Sequence, residues 1–305
     1  MKHATLRQLK VFEAVARLSS YSRAAEELHL TQPAVSMQVQ SLEDLAGLPL
    51  TEQIGKKIRL TPAGDELAAL ARHFALQLRD VEEALAGMKG AEGGRLIIGV
   101  VSTAKYFAPA LLAEFKRRHP GIELRLAVSN RSVIVRQLAE NEIDLAIMGS
   151  PPRDFDTVAE AFAEHPLVFV AAPSHPLAGV NDLTPAVFAQ ETLLIREPGS
   201  GTRSALEAYL EERRIRPAAL MEMSDNETIK QAAMAGLGVA LISRHTIGLE
   251  LTVGRLALLD VRDRPHQRHW HVVHRKEKRL LPAAESFRHF MRGEGARLLG
   301  EQVAG

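Results

Sequence analysis

The sequence predicts an α/β protein with a mainly helical head: a helix-turn-helix with a small basic hairpin, then one long helix, then a larger region of alternating strands and helices. Three observations carry this. Residues 6–47 repeat apolar positions at helical spacing with two short breaks, and the stretch from Ala63 keeps a four-three apolar rhythm to Met88. Beyond Arg95, short apolar runs alternate with amphipathic stretches, the pattern of parallel α/β construction. A chain of 305 residues is about twice the size of a single domain of roughly 150 residues, so two or three compact units are expected.

In the head, Leu6, Leu9, Val11, Phe12, Val15 and Leu18 mark a first helix that ends near Ser19-Ser20. A second is expected from Ser22 as N-cap through Leu28, its Ala24-Ala25 pair leaving room for a neighbouring helix. After His29-Leu30, Thr31 caps a third helix that tolerates Pro33 in its first turn and stops at Gly47. Packing accounts for Val35, Val39 and Leu42 but not for Gln32, Ser36, Gln38 and Gln40. Such amide and hydroxyl groups suit base edges and phosphates, the alternative being a solvated helix face. Residues 54–60 then read as a hairpin with a Gly55 turn and three cations, Lys56, Lys57 and Arg59, as a wing lying on phosphates requires.

The long helix places Leu67, Ala71, Phe74, Leu78, Val81, Leu85 and Met88 on one heptad seam. The expected partner is a second copy of the chain, and two symmetry-related copies of a short reading helix match an inverted repeat in DNA. Gly87, Gly90, Gly93 and Gly94 form a flexible junction.

The rest of the chain reads as two similar α/β halves flanking a hinged cleft. Ligands in such sheets settle beyond the carboxyl ends of the strands, so the residues just after each strand are the candidates. These are Ser102 and Thr103; Ser129, Asn130 and Arg131; Met148, Gly149 and Ser150; and the run Arg196-Glu197-Pro198-Gly199-Ser200-Gly201-Thr202-Arg203, which opens a helix. Guanidinium forks and free helix-start amides favour a phosphate or carboxylate. Asn226 and Glu227 sit at another helix start, where they either cap it or complete the site. Taken singly, each position is equally explained as a cap, a turn glycine or a surface arginine.

Composition narrows the remaining choices. With 38 Lys+Arg against 37 Asp+Glu, any nucleic-acid surface must be local rather than global. The absence of cysteine excludes disulfides, thiolate metal sites and cysteine nucleophiles. The charged N-terminus lacks the apolar core of a signal peptide, and no run is long enough to span a bilayer, so a cytoplasmic protein without membrane contact is expected. Enzyme motifs such as G-x-S-x-G, a Walker loop or H-E-x-x-H are missing, so catalysis is not expected. His266, His269, His271 and His274, interleaved with Arg262, Arg264, Arg268 and Arg275, offer no third ligand in register for a metal. Their strand, residues 268–274, is expected to return to the first half with its charges solvated or at a subunit contact, and no metal or cofactor is expected.

The ordered phrases AAEELHLTQPAVS, LE and LTPAG are highly specific and resemble the winged helix-turn-helix of the LysR-type transcriptional regulators. The resemblance extends over almost the whole chain and implies a periplasmic-binding-protein-like effector domain. It divides the chain into a winged head (1–62), a linker dimerisation helix (63–89), a hinge (90–94), effector subdomain I (95–165 and 268–292), subdomain II (166–267) and a C-terminal tail (293–305). It places Gln32, Pro33 and Ser36 in the major groove, with Ser22, Arg23, Thr31, Met37 and Gln40 around them, while Lys56, Lys57 and Arg59 support the wing. Two positions depart from the family pattern: Met37 stands where many relatives have Arg, and Thr51 stands where a Phe usually follows the Leu, here Leu50. The second departure predicts looser packing beneath the wing. More narrowly, VVSTAKYFAPALLAEFKRRHPGIEL, NEIDLAIMGSPP, LIREPGSGTR and SDNETIKQAAMAGLGVAL resemble the CbbR-type branch, regulators of Calvin-cycle RuBisCO operons. That branch implies an activator answering a small phosphorylated metabolite or NADPH, acting on promoter DNA and RNA polymerase as a dimer of dimers. A LysR-type regulator of another pathway, with a carboxylate effector, is the alternative.

Overall fold

The computed structural model describes residues 3–54, 57–88, 93–263, 265 and 268–304. Gly55, Lys56, Gly90, Arg264 and His266, named above, lie outside the described residues. The chain divides into two compact units, residues 1–85 and 86–305.

The first unit holds α1 (Leu6–Leu18), α2 (Tyr21–Glu27), α3 (Gln32–Ala46), the antiparallel hairpin β1 (Thr51–Ile54) and β2 (Lys57–Leu60), and most of α4 (Pro62–Met88). Local chemistry sets its boundaries. Thr5 and Gln8 make a reciprocal capping box on α1, Thr31 Oγ1 accepts from the Ala34 amide at 3.4 Å to start α3, and Gly47 ends α3 in the left-handed region at φ 68°. The cap of α2 is Ser20 and not Ser22: Ser20 Oγ accepts from the Arg23 amide at 3.3 Å, while Ser22 lies exposed in the first turn. Phe12, Val15, Val35, Val39, Leu42 and Leu50 form the core, and Leu67, Ala68 and Ala71 of α4 complete it. The predicted seam is corrected at its first two positions, because Leu67 and Ala71 are spent inside their own unit. Farther along, Leu70, Phe74, Leu78, Val81 and Leu85 remain exposed. The base of the wing is not loosened by Thr51. Its hydroxyl meets Tyr21 Oη at 3.0 Å, and Glu43 accepts from the Leu50 and Thr51 amides at 2.8 and 3.1 Å, so polar contacts replace the missing ring.

The second unit contains two five-stranded sheets. The first carries the order β4 (Ile122–Ser129), β3 (Gly94–Val101), β5 (Leu145–Met148), β12 (Arg268–Arg275), β6 (Thr157–His165), with α5 (Ala108–Arg118), α6 (Arg131–Ala139) and α10 (Pro282–Ala304). The second carries β11 (Ala257–Leu258), β7 (Leu167–Ala171), β10 (Val239–Ser243), β8 (Thr192–Arg196), β9 (Ala219–Met223), with α7 (Gly201–Glu212), α8 (Asn226–Met234) and α9 (Gly248–Thr252). Both are mixed rather than parallel. β12 runs antiparallel to β5 and β6, and β7 antiparallel to β10 and β11.

Strands β7, β8 and β10 are buried on both faces: Phe169, Leu193 and Leu241 pack on one side, Val170, Leu194 and Ala240 on the other. That is why they read as unbroken apolar runs. Strand β6 was not foreseen, since its Ala and Glu residues are depleted in strands and it lies half exposed at a sheet edge. The tail expected at 293–305 is instead the continuation of α10, anchored by Leu299 in the core of the first half. Gly295 permits this, because a Cβ there would come within 2.8 Å of the Phe162 ring.

Candidate functional site

Two sites arise from this framework, each within its own unit. On α3, Val35, Val39 and Leu42 face the core, and the opposite side carries Gln32, Ser36 and Gln40 at i, i+4, i+8, with Pro33 and Met37 in the adjacent row. All five are exposed, Met37 by 69%. Gln38, by contrast, is half-buried. Gln40 Nε2 is held 3.3 Å from Asp44 Oδ1, and Arg23 is turned back onto the Leu18 carbonyl. Arg59 is exposed on β2, which Lys57 opens. The face is therefore rich in neutral amides and hydroxyls, the groups that read base edges, with its described cation at the hairpin.

The second site is a cavity of about 20 Å³ between the two α/β halves, lined by Val101, Ser102 and Thr103 beyond β3, Arg131 at the start of α6, Gly149 and Ser150 beyond β5, His165 at the end of β6, Ser200, Gly201 and Thr202 at the start of α7, and Arg268 at the start of β12. Such a volume holds about one water. A wider depression of about 560 Å³ outside it shares Arg131, Ser150, Gly201 and Arg268 and adds Arg153 and Asp154, so it is the inner cavity that carries no acid. Arg131 Nε and Nη2 donate to the carbonyls of Ser150 and Pro151 at 3.1 and 3.2 Å. Arg268 Nη1 donates to the Gly201 carbonyl at 3.1 Å, and its Nη2 to Ser150 Oγ.

Among the described residues neither guanidinium has a carboxylate partner, and no acid lines the cavity. Burial, and then the proximity of Arg131, pull the Arg268 guanidinium below its ordinary value. Both effects disfavour a cation that has no counter-charge. The N-cap of α7, Ser200, makes no side-chain capping bond, so the first amides of that helix open on the cavity with the positive end of its dipole. Two unneutralised guanidinium forks and a free helix start have the chemistry that suits an anion.

Eight predicted positions meet in this wall: Ser102, Thr103, Arg131, Gly149, Ser150, Ser200, Gly201 and Thr202. Others do not. Met148 is a core residue, and Ser129 is half-buried at the end of β4, outside the lining. Asn130 caps α6, accepting from the Val133 amide at 3.1 Å. Arg196 is buried but already paired: Nε and Nη2 donate to Glu197 at 2.7 and 2.9 Å, Nη2 also to Ser102 Oγ at 3.1 Å, and Nη1 to Asn226 Oδ1. It ties the halves together and is not free for a ligand. Arg203 points outward to Glu207 and Glu222, at 2.7 and 2.5 Å. Gly199 lies against Ser132, whose amide donates to its carbonyl at 3.2 Å. The cap of α8 is Asp225, so Asn226 and Glu227 do not cap it. Glu227 instead pairs with Lys230 at 2.9 Å and accepts from Tyr106 Oη at 3.3 Å.

Sequence reasoning missed His165 and misplaced Arg268. His165 was missed because β6, which it ends, does not read as a strand; Arg268 was misplaced because β12 is antiparallel, so its first residue, not its last, reaches the rim where the other strands end. The expectation that the charges of β12 are solvated is thus wrong for Arg268, and also for His274, which is 8% exposed. Among the described residues no cluster of His and acids could hold a metal, and no helix is long and apolar enough to cross a membrane.

Residues 6–65 match the model of the bacterial regulatory helix-turn-helix protein, lysR family, and residues 89–296 that of the LysR substrate binding domain. The chain belongs to the LysR family. Its members are transcriptional regulators, not enzymes. The chain is 52% identical to the "RuBisCO operon transcriptional regulator" of Allochromatium vinosum, over 97% of this chain and 98% of that one. It is 48% identical to the "HTH-type transcriptional regulator CfxR" of Cupriavidus necator, over 100% and 96%. Among solved structures, the regulatory domain of Synechocystis PCC6803 CcmR in complex with 2-PG superposes with a TM-score of 0.63 at 36% identity, covering 66% of this chain and 96% of that one. Both the winged head and the two-sheet effector domain are thus those of a LysR-type regulator.

Proposed function

We propose that this LysR-type regulator activates a RuBisCO operon in the cytoplasm and is switched by a small phosphorylated metabolite in the acid-free cleft. The observation that carries the reading is likeness across nearly the whole chain to regulators of that operon. The chemistry agrees: Arg131 and Arg268 repel each other without a counter-ion, and a phosphate between them removes that repulsion. The same phosphate accepts from the Gly201 and Thr202 amides of the other half. A ligand that touches both halves binds their closed arrangement better than an open one, and only that difference in affinity can shift the equilibrium. The cavity as it stands is too small for a whole metabolite, so entry requires the halves to part, breaking Arg268 to Gly201 and Arg196 to Ser102.

In this reading the exposed stripe Leu70, Phe74, Leu78, Val81 and Leu85 pairs with a second copy, the dimer reads an inverted repeat, and two dimers form a tetramer whose altered DNA bend assists RNA polymerase. The test is a gel-shift and footprint titration on DNA upstream of the RuBisCO operon at fixed salt, with 2-phosphoglycolate, ribulose bisphosphate, phosphoenolpyruvate, NADPH and simple dicarboxylates. A phosphorylated compound is expected to change the footprint. A change with dicarboxylates alone would replace the effector class, and specific binding only elsewhere would overturn the operon.

A further inference from the structure

His165 is a titratable residue of the cavity wall whose chemistry the anion site leaves unused. It is 3% exposed, forms part of the cavity wall, and neither Nδ1 nor Nε2 has a hydrogen-bond partner. Such a group is costly to keep. Its position is fixed on two sides. The ring stacks on Trp270 at 3.8 Å between centroids and 18° between planes, and it lies so close to the rim backbone that a Cβ on Gly149 would sit 2.3 Å from Nδ1. Gly149 thus serves the site by admitting the imidazole edge.

The charged and titratable groups facing this ring are Arg268 and His271 on β12 and His245 in the turn after β10; none is a carboxylate. His245 is kept neutral, its pKa pushed down to about 4 by burial and by Arg244, and its Nδ1 accepts from Trp270 Nε1 at 3.2 Å. Burial first, and the Arg268 guanidinium after it, hold His165 neutral while no anion is present.

Resting on the reading of this cleft as a phosphorylated-metabolite site, we propose that His165 is its proton-accepting third cation: an anion entering beside Arg131 and Arg268 is bound together with one proton taken up by the imidazole. The arriving charge replaces repulsion by attraction, and the protonated ring donates to the ligand. Two guanidinium groups balance a dianion; two guanidinium groups and an imidazolium balance three negative charges. The cleft therefore selects a phosphate ester that also carries a carboxylate over a plain dianion. Affinity for such a ligand tightens as pH falls through the bound-state pKa of His165 and levels off at the lower free-state value.

The test is isothermal titration of the full chain near neutral pH in buffers of different ionisation enthalpy, with 2-phosphoglycolate and with sulfate, which stays a dianion. The wild type is expected to take up roughly one proton more per 2-phosphoglycolate than His165→Gln does, and the variant to bind about ten-fold more weakly with no preference over sulfate. Equal proton counts in wild type and variant overturn the inference and leave the anion cleft standing. Absence of binding by both anions to the wild type overturns the cleft reading and this inference with it. Because the variant could fail to fold, imidazole nitrogen resonances of the wild type provide a second measurement. A His165 ring that stays neutral at saturating 2-phosphoglycolate contradicts the proposal, and an imidazolium supports it.

Discussion

The reading face of α3 and the ligand cleft solve opposite problems. The face is local: residues 31–40 present it on one helix, its side chains are exposed, and its chemistry is neutral amide and hydroxyl. The cleft is assembled from segments as far apart as Val101 and Arg268, is largely buried, and concentrates positive charge without an acid. A surface that must slide over many DNA sequences gains from groups that cost nothing to expose and discriminate only on contact. A site that must change state on binding gains from charge that is uncomfortable until the ligand arrives.

The largest expected effects separate the two units themselves. Phe12→Ala in the head and Phe287→Ala in the effector domain each remove a fully buried ring, costing about 3–5 kcal/mol. Each is expected to lower one thermal transition in calorimetry and leave the other in place; a single transition shifted by both would show that the units melt together. Next comes the cleft. Arg268→Ala removes a charged donor and is expected to weaken 2-phosphoglycolate binding by about 1.5–3 kcal/mol while specific DNA affinity is kept. Arg268→Lys is not expected to restore binding, since an ammonium lacks the planar fork. Equal loss of ligand and DNA binding would mean the variant damaged the fold.

On the face, Gln32→Ala is expected to lose about 1–3 kcal/mol of discrimination between operator and altered sites. Arg59→Ala should weaken all sequences alike and lower the salt slope by about 1. The check is competition binding at several salt concentrations, and the division of labour fails if the two variants behave alike. The smallest effect is on stability against pH. His245 is neutral in the fold with a pKa of about 4, below the roughly 6.5 of an unfolded histidine. The unfolded chain therefore binds the extra proton between these values, and stability present above pH ~6.5 is lost as pH falls toward about 4. The expected loss is about 1–2 kcal/mol for this partly screened ring, read as a falling denaturation midpoint that His245→Phe flattens.

Much of the head was legible because its determinants are neighbours in sequence: Thr31 and Gly47 bound α3, and the i, i+4, i+8 row follows from helical geometry alone. Ser20 rather than Ser22 as the cap shows the limit, since two serines two residues apart are equally good signals until the backbone chooses. In the cleft, residues after parallel strands were legible by rule, and Ser102, Thr103, Arg131 and the Ser200-Gly201-Thr202 turn do converge. Arg268 was not, because strand direction is a tertiary fact: the order β5-β12-β6 turns a strand start into a rim position. His165 was not, because the Ala- and Glu-rich strand β6 that it ends does not read as a strand. Arg196 carried the expected charge in the expected place, yet Glu197 and Asn226 consume it. Leu67 and Ala71 fit a heptad, but a helix leaving a small domain first closes that domain's own core.

The decisive measurement is a footprint titration of wild type and Arg268→Ala on RuBisCO-operon promoter DNA, with and without 2-phosphoglycolate. The structure leads to a ligand-dependent change in footprint for the wild type and an unchanging footprint, at equal DNA affinity, for the variant. A variant that responds as the wild type does would contradict the acid-free cleft as the switch.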